Sequence, residues 1–174
     1  MLTNIRRVGV VVTFLFTLTA FASVPAWAQD RTADFSFRAV DGPAVTSESL
    51  RGEVVVLAFG ASWLPLTKNQ MEAVKKLADQ YAGRGVAVYW VSTESESPKS
   101  KNYASDEQLR ELARKYKAAV LRDPDGVVSK KLGVDQLPSV VIIDKHGNIA
   151  ATIGGMDPNA NLATQLSARL DKIL

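Results

Sequence analysis

The sequence predicts an α/β fold with one mixed central β-sheet and helices on both faces. Three observations carry that expectation. Val54–Phe59, Val86–Ser92 and Ser139–Asp144 are nearly continuous apolar runs rich in β-branched residues, the pattern of strands buried on both faces. Between them, Met71, Val74, Leu77, Ala78 and Tyr81, and later Leu109, Leu112, Ala113 and Tyr116, recur at helical spacing. Near the end, Lys145-His146-Gly147-Asn148 forms a hairpin turn into a strand over Ile149–Ile153. Alternating strands and helices imply parallel pairing through right-handed crossovers. The closing hairpin adds antiparallel strands.

Taken in order, Phe35–Val40 alternates like a short strand and ends at the Asp41-Gly42 turn signal. Thr46–Leu50 reads as a helical turn before Arg51-Gly52. After the Val54–Phe59 strand, Pro65 falls in the first turn of a helix, where a missing N–H does no harm. Gly83 and Gly85 stop that helix, and Glu94–Ser105 is polar and reads as a solvated loop. Ser105 is the N-cap of the next helix. Val120-Leu121 is a short strand, Asp123-Pro124-Asp125-Gly126 a turn, and Val127–Leu132 a short helix closed by Gly133. Leu162, Leu166, Leu170 and Ile173 mark the last helix. No internal repeat or low-complexity tract interrupts this order.

The first 28 of the 174 residues read as a signal peptide and residues 29–174 as one domain. Arg6 and Arg7 form a positive head, Val8–Ala22 is largely apolar, and Ala26-Trp27-Ala28 supplies a small–x–small cleavage pattern. The apolar run is shorter than the ~20 residues of a spanning helix, so cleavage after Ala28 and no stable membrane anchor are expected. The destination is then the periplasm or the exterior. Arg6 and Arg7 are the only charged side chains of that leader, so its removal lowers the formal charge from +3 to +1. That balance gives no reason to expect a nucleic-acid partner. The chain has no cysteine and one histidine. It therefore has no disulfide, no thiol nucleophile and no thiolate ligand, and lacks the usual nitrogen–sulfur donors for zinc or copper. No cofactor is expected. Asp123 and Asp125 are two carboxylates in a turn, short of the oxygen set that calcium takes.

Val54-Val55-Val56-Leu57-Ala58-Phe59-Gly60-Ala61-Ser62-Trp63 resembles the strand that leads into a thioredoxin-like active site. Downstream, Asp123-Pro124-Asp125-Gly126, Leu132-Gly133-Val134, Leu137-Pro138-Ser139 and Ile142-Ile143-Asp144-Lys145-His146-Gly147 resemble the second half of TlpA/ResA-like and AhpC-related domains. The resemblance runs from about residue 33 to the end and implies a thioredoxin fold, with the Leu137–Pro138 bond cis as in those relatives. It also implies a Cys-x-x-Cys pair after the Phe-x-Ala-x-Trp strand end, but the four residues there are Leu64-Pro65-Leu66-Thr67. Leu64 stands where the reactive thiolate belongs, and Thr67 where the resolving thiol belongs. Family chemistry needs a thiolate stabilised by the N–H groups of a helix start. A hydroxyl is a poor substitute without an adjacent base.

The expected function is a redox-inactive protein-binding module that takes an extended segment of another exported protein. Trp63, Leu64, Pro65 and Leu66 would form an apolar knob beside Leu137 and Pro138, where backbone groups next to the proline can pair with a peptide by strand addition. Two other readings stay open: a decayed site whose hydrophobes pack on one another, and a thiol–disulfide oxidoreductase by family that works by a route without cysteine. Glu94 and Glu96 lie where some relatives keep an acid near the thiols, and with no thiol to serve they are expected in solvent. His146 is expected as an exposed turn residue, and Lys68, Lys75 and Lys76 on the wet face of their helix.

Overall fold

The computed structural model describes residues 32–157 and 160–174. The leader and its cleavage site lie outside the described residues. Seven strands and four α-helices follow one another as β1 (Ser36–Ala39), β2 (Val45–Thr46), β3 (Val54–Gly60), α1 (Thr67–Gln80), β4 (Val86–Ser92), α2 (Asp106–Tyr116), β5 (Val120–Arg122), α3 (Val127–Lys131), β6 (Ser139–Ile143), β7 (Ile149–Gly154) and α4 (Leu162–Leu170). A single 3-10 turn, Pro124–Gly126, leads into α3.

The strands form one sheet in the order β2-β1-β5-β4-β3-β6-β7. β3 pairs in parallel with β4, and β4 with β5, while β6 and β7 add antiparallel strands on the other side of β3. This is the mixed sheet expected from the sequence. All seven residues of β3 are buried. Val54, Val56 and Ala58 face a core shared with Met71, Leu77, Trp90, Leu109 and Leu166, from α1, β4, α2 and α4. Val55, Leu57 and Phe59 face a second core with Phe35, Phe37, Leu121, Leu132 and Val134. Burial on both faces is the physical reason for the unbroken apolar run.

Two local expectations are corrected. Thr46–Leu50 is a turn only from Ser47 onward and not a helix, because Val45–Thr46 pairs antiparallel with β1. Thr46 and Ser49 then exchange side-chain and backbone hydrogen bonds: Ser49 Oγ donates to the Thr46 carbonyl at 2.8 Å, and the Ser49 N–H to Thr46 Oγ1 at 3.1 Å. Such local bonds offer the backbone an alternative to a helix. Secondly, Pro65 precedes α1 instead of opening it. The stretch from Ala61 folds as successive turns, with Leu64 N–H on the Ala61 carbonyl and Thr67 N–H on the Leu64 carbonyl, so Leu66 is the N-cap.

The segment between β4 and α2 is pinned by charge. Arg122 is 2% exposed and donates to the carbonyls of Glu94, Ser95 and Ala104, while its Nη1 meets Asp106 Oδ1 at 2.6 Å. Arg38 also grips Asp106, at 2.9 Å to each carboxylate oxygen, and Glu96 at 2.5 Å. Hydrogen bonding from Arg38, assisted by Arg122, holds the Asp106 carboxyl well below the usual carboxylate range despite partial burial. A depressed carboxylate stabilises the fold above its unfolded pKa, near ~4, and that contribution is lost as pH falls through the folded-state value. Asp106→Asn should therefore weaken the protein at pH 7 by about 1–3 kcal/mol, because Arg122 loses its nearest ion partner while Asp106 itself is partly in water. The same variant should lose part of its acid sensitivity below pH ~4. Urea unfolding from pH 7 down to the acid range reads both effects. Equal acid sensitivity in the two proteins would show that Asp106 does not govern it.

Candidate functional site

The site is built where β3 ends and α1 begins. Trp63 is 64% exposed, and its indole N–H donates to Asn102 Oδ1 at 2.9 Å. Asn102 in turn donates from Nδ2 to the Thr93 carbonyl at 3.3 Å. The ring is thus held in one orientation against the loop after β4 while its faces stay accessible. Leu64 and Leu66 are half-buried, Pro65 is exposed and Thr67 is buried. The Thr67 hydroxyl donates to the Ala61 carbonyl at 2.6 Å. It is committed to the turn and faces no base.

Beneath the turn lies the side chain that sequence reasoning misplaced. Glu94 is not in solvent but 0% exposed. Its Oε2 accepts from the Ser62 N–H at 2.9 Å and from Ser92 Oγ at 3.0 Å, and its Oε1 from Ser62 Oγ at 2.7 Å. A carboxylate satisfied by three donors can stay buried, and here it anchors the residue immediately before Trp63. The expectation for Glu96 holds, since it is exposed and paired with Arg38.

A second buried polar group ties the helix start to the proline loop. Gln70, 0% exposed, donates from Nε2 to the carbonyls of Phe59 (3.1 Å) and Ser139 (3.3 Å) and accepts from the Trp90 indole N–H at 2.8 Å. A Cβ on Gly60 would lie 2.6 Å from Gln70 Oε1 and 3.1 Å from Trp90 Nε1, so this contact requires glycine there. Gln70 was legible in principle, because Thr67, Gln70, Met71, Val74 and Leu77 share one helical face. Asp123 was read only as a turn residue. It is also buried and caps α3, accepting from Val128 N–H at 2.8 Å and Ser129 N–H at 2.7 Å.

The Leu137–Pro138 bond is cis. Pro138 is buried and its carbonyl accepts from Gly155 N–H at 3.1 Å. Among the described residues, neither the N–H nor the carbonyl of Leu137 has a hydrogen-bond partner, and its side chain is 38% exposed. Leu137 lines a groove of about 330 Å³ with Thr93, Asn102, Gly126, Ser129 and Val134. Among the described residues the large exposed hydrophobics are Trp63, Tyr103, Val127 and Leu137. Leu137 lines this groove, Trp63 is bonded to its wall at Asn102, and Tyr103 and Val127 each follow a lining residue in the chain. Leu64, Pro65 and Leu66 do not line it; they lie on the neighbouring turn.

Residues 28–152 match the AhpC/TSA family. The chain belongs to the AhpC/TSA family. Within it, the chain is 28% identical to the thiol:disulfide interchange protein DsbE of Pseudomonas aeruginosa over 142 residues, 80% of this chain and 73% of that protein. It is 24% identical to the thiol-disulfide oxidoreductase ResA of Bacillus thuringiensis, over 73% of this chain and 69% of that one. The crystal structure of the pneumococcal exposed lipoprotein thioredoxin Etrx1 from Streptococcus pneumoniae superposes with a TM-score of 0.60 at 29% identity, covering 78% of this chain and 99% of that one. The fold is thus the thioredoxin fold, and the relatives are of the TlpA/ResA-like redoxin kind. This AhpC/TSA member has no cysteine anywhere in its sequence.

The buried carboxylate carries a prediction. Glu94→Ala removes the acceptor of three donors and should destabilise the protein by about 1–3 kcal/mol, with Glu94→Gln milder because its amide oxygen still accepts. Chemical unfolding measures the loss, and amide exchange at Ser62 should quicken in both variants. Unchanged protection at Ser62 would mean that Glu94 does not hold the turn.

Proposed function

We propose that this AhpC/TSA member is a redox-inactive binding module that holds an extended segment of another exported protein at the Trp63–Leu137 groove. The observation that carries the reading is the pairing of unpartnered Leu137 main-chain groups with a groove that Leu137 lines and whose wall at Asn102 holds the exposed Trp63 indole. An extended segment can bond to the Leu137 N–H and carbonyl while its alternate side chains meet Leu137, Val134 and the Trp63 ring, which is strand addition. A rigidly held, exposed indole is the kind of anchor on which binding energy concentrates. Trp63 and Leu137 are assigned to this surface; of the other residues expected there, Leu64, Pro65 and Leu66 adjoin it on the neighbouring turn and Pro138 is buried behind Leu137.

Thiol chemistry is unavailable to the chain itself. Leu64 offers only hydrocarbon, and the Thr67 hydroxyl is buried and bonded to Ala61. Export is part of the proposal, supported by the Arg6-Arg7 head, the apolar run to Ala22 and the Ala26-Trp27-Ala28 pattern. Likeness to an exposed lipoprotein thioredoxin supports it too, although the lipid attachment that requires a cysteine is closed to this chain. Among the described residues no helix is long and apolar enough to cross a membrane.

A photo-crosslinking side chain at Trp63 or Leu137 should capture a discrete partner from an envelope extract, whereas the same group at Lys76, exposed on α1, should not. Equal capture from all three positions, or none from Trp63 and Leu137, would remove the binding reading. Purified protein should show no insulin reduction above a no-protein control, and turnover would restore the enzyme reading. Substituting Leu64→Cys and Thr67→Cys together should create a pair that oxidises in air, seen as loss of alkylation in mass spectrometry. A pair that stays reduced would show that these positions are not the family's thiol positions.

A further inference from the structure

We propose that the Leu137 groove selects its segment by one arginine side chain, read by the Ser129 hydroxyl and the carboxylates of Asp125 and Asp135. The inference rests on the groove reading given above and adds the chemistry of the side chain that enters it.

The groove has a buried floor and a charged rim. Thr93, Gly126, Ser129 and Val134 are its buried lining, and Asp125, Lys130 and Asp135 stand exposed around them. Its volume of about 330 Å³ lies at the low end of the ~300–1,000 Å³ usual for ligand sites. That is room for one long side chain.

Ser129 is the informative residue. It is 4% exposed, and its N–H is committed to Asp123 Oδ2 at 2.7 Å. A helical serine can bond the carbonyl four residues back, as Ser167 does with Ala163 at 2.9 Å. For Ser129 that carbonyl belongs to Asp125, and Lys130 Nζ takes it at 3.4 Å. Among the described residues the Ser129 hydroxyl has no hydrogen-bond partner. The one fully enclosed side-chain polar atom without a partner there is Arg122 Nε, so the Ser129 hydroxyl touches solvent, and the space beside Ser129 is this groove. A polar group so nearly buried calls for a partner, and a bound segment can supply it.

The rim sets the sign of the charge. Among the described residues neither Asp125 nor Asp135 has an ion pair or a side-chain hydrogen bond, whereas the carboxylates of Asp106, Asp123, Asp144 and Asp171 are all engaged. Against these two carboxylates the lining offers one amine, Lys130, which leaves one negative charge to be met. Lys99 and Lys101 flank Asn102 in the chain but do not line the groove. A single cation therefore complements the site. Arginine suits it better than lysine, because its planar guanidinium presents five donors to several acceptors at once. Its aliphatic stem can lie along Val134 and Leu137 while the charged head stays at the rim.

The test uses the purified chain and a fluorescein-labelled eight-residue peptide of alternating valine and threonine with one central arginine. Counterparts carry citrulline, which keeps the shape and loses the charge, or glutamate. Fluorescence anisotropy should show the arginine peptide binding about fivefold more tightly than the citrulline peptide, with the glutamate peptide weakest. Asp125→Asn with Asp135→Asn should erase the arginine–citrulline difference. Ser129→Ala should weaken arginine binding about fivefold, and Lys130→Ala should tighten it about twofold. Trp63→Ser should weaken all three peptides alike, which ties them to the groove. Equal binding of the three peptides, still sensitive to Trp63→Ser, would overturn the arginine assignment and leave the groove reading standing. No saturation of any peptide by about 1 mM would overturn both. Arginine binding indifferent to Trp63→Ser or to the paired Asp→Asn change would also overturn the assignment. So would an arginine peptide that binds only an Arg31→Ala chain, since the chain would then fill the pocket itself. The peptide comparison uses unaltered protein, so it stands even if a variant folds poorly.

Discussion

The buried Glu94 carboxylate is the contact on which the site depends. A carboxylate without water must find donors, and Glu94 finds them in the Ser62 N–H, the Ser62 hydroxyl and the Ser92 hydroxyl. Through Ser62 it fixes the turn that carries Trp63. Its own main chain is fixed by Arg122, whose guanidinium takes the Glu94 and Ser95 carbonyls together with that of Ala104. Core, loop and helix entrance are therefore joined by a short chain of charge-assisted bonds. Such a network is costly to leave half satisfied. It is present here in a chain without a cysteine.

That combination separates positioning from reactivity. In relatives the helix entrance stabilises a thiolate, and the proline loop lies alongside it. In this chain the entrance offers Leu64, yet the parts that would hold a protein segment are in place: an indole fixed by Asn102, unpartnered Leu137 main-chain groups, and Gln70 bridging the end of β3 to the Ser139 carbonyl. Binding by strand addition needs hydrogen-bonding edges and apolar contacts, not a redox couple. The proposed binding therefore does not depend on thiols.

Most of the fold was legible in the sequence because its strongest signals are local. Val54–Phe59 reads as a strand buried on both faces and Ser105 as the N-cap of α2, and the structure bears out both, with Gln108 completing a capping box. The Pro138 loop was legible through resemblance. What stayed hidden depends on contacts between distant residues. Glu94 sits in a polar stretch that reads as wet loop, and its burial is set by Ser62, 32 positions away in the chain. Asp106 reads as an ordinary acid in the first turn of a helix until Arg38, 68 positions away, closes on it. β2 was missed because two residues give no period, and Thr46 and Ser49 favour helix caps and turns equally well. Gln70 lies in a Lys68-Asn69-Gln70 run that resembles a solvated face. Only its register with Met71 and Val74 marks it as inward.

The most direct measurement is amide NMR of isotopically labelled protein titrated with the segment of any partner captured from Leu137, made as a synthetic peptide. The Leu137 amide should move and become protected from exchange, with Trp63 indole and Asn102 side-chain signals shifting together. A peptide that binds while those three signals stay still would contradict the account.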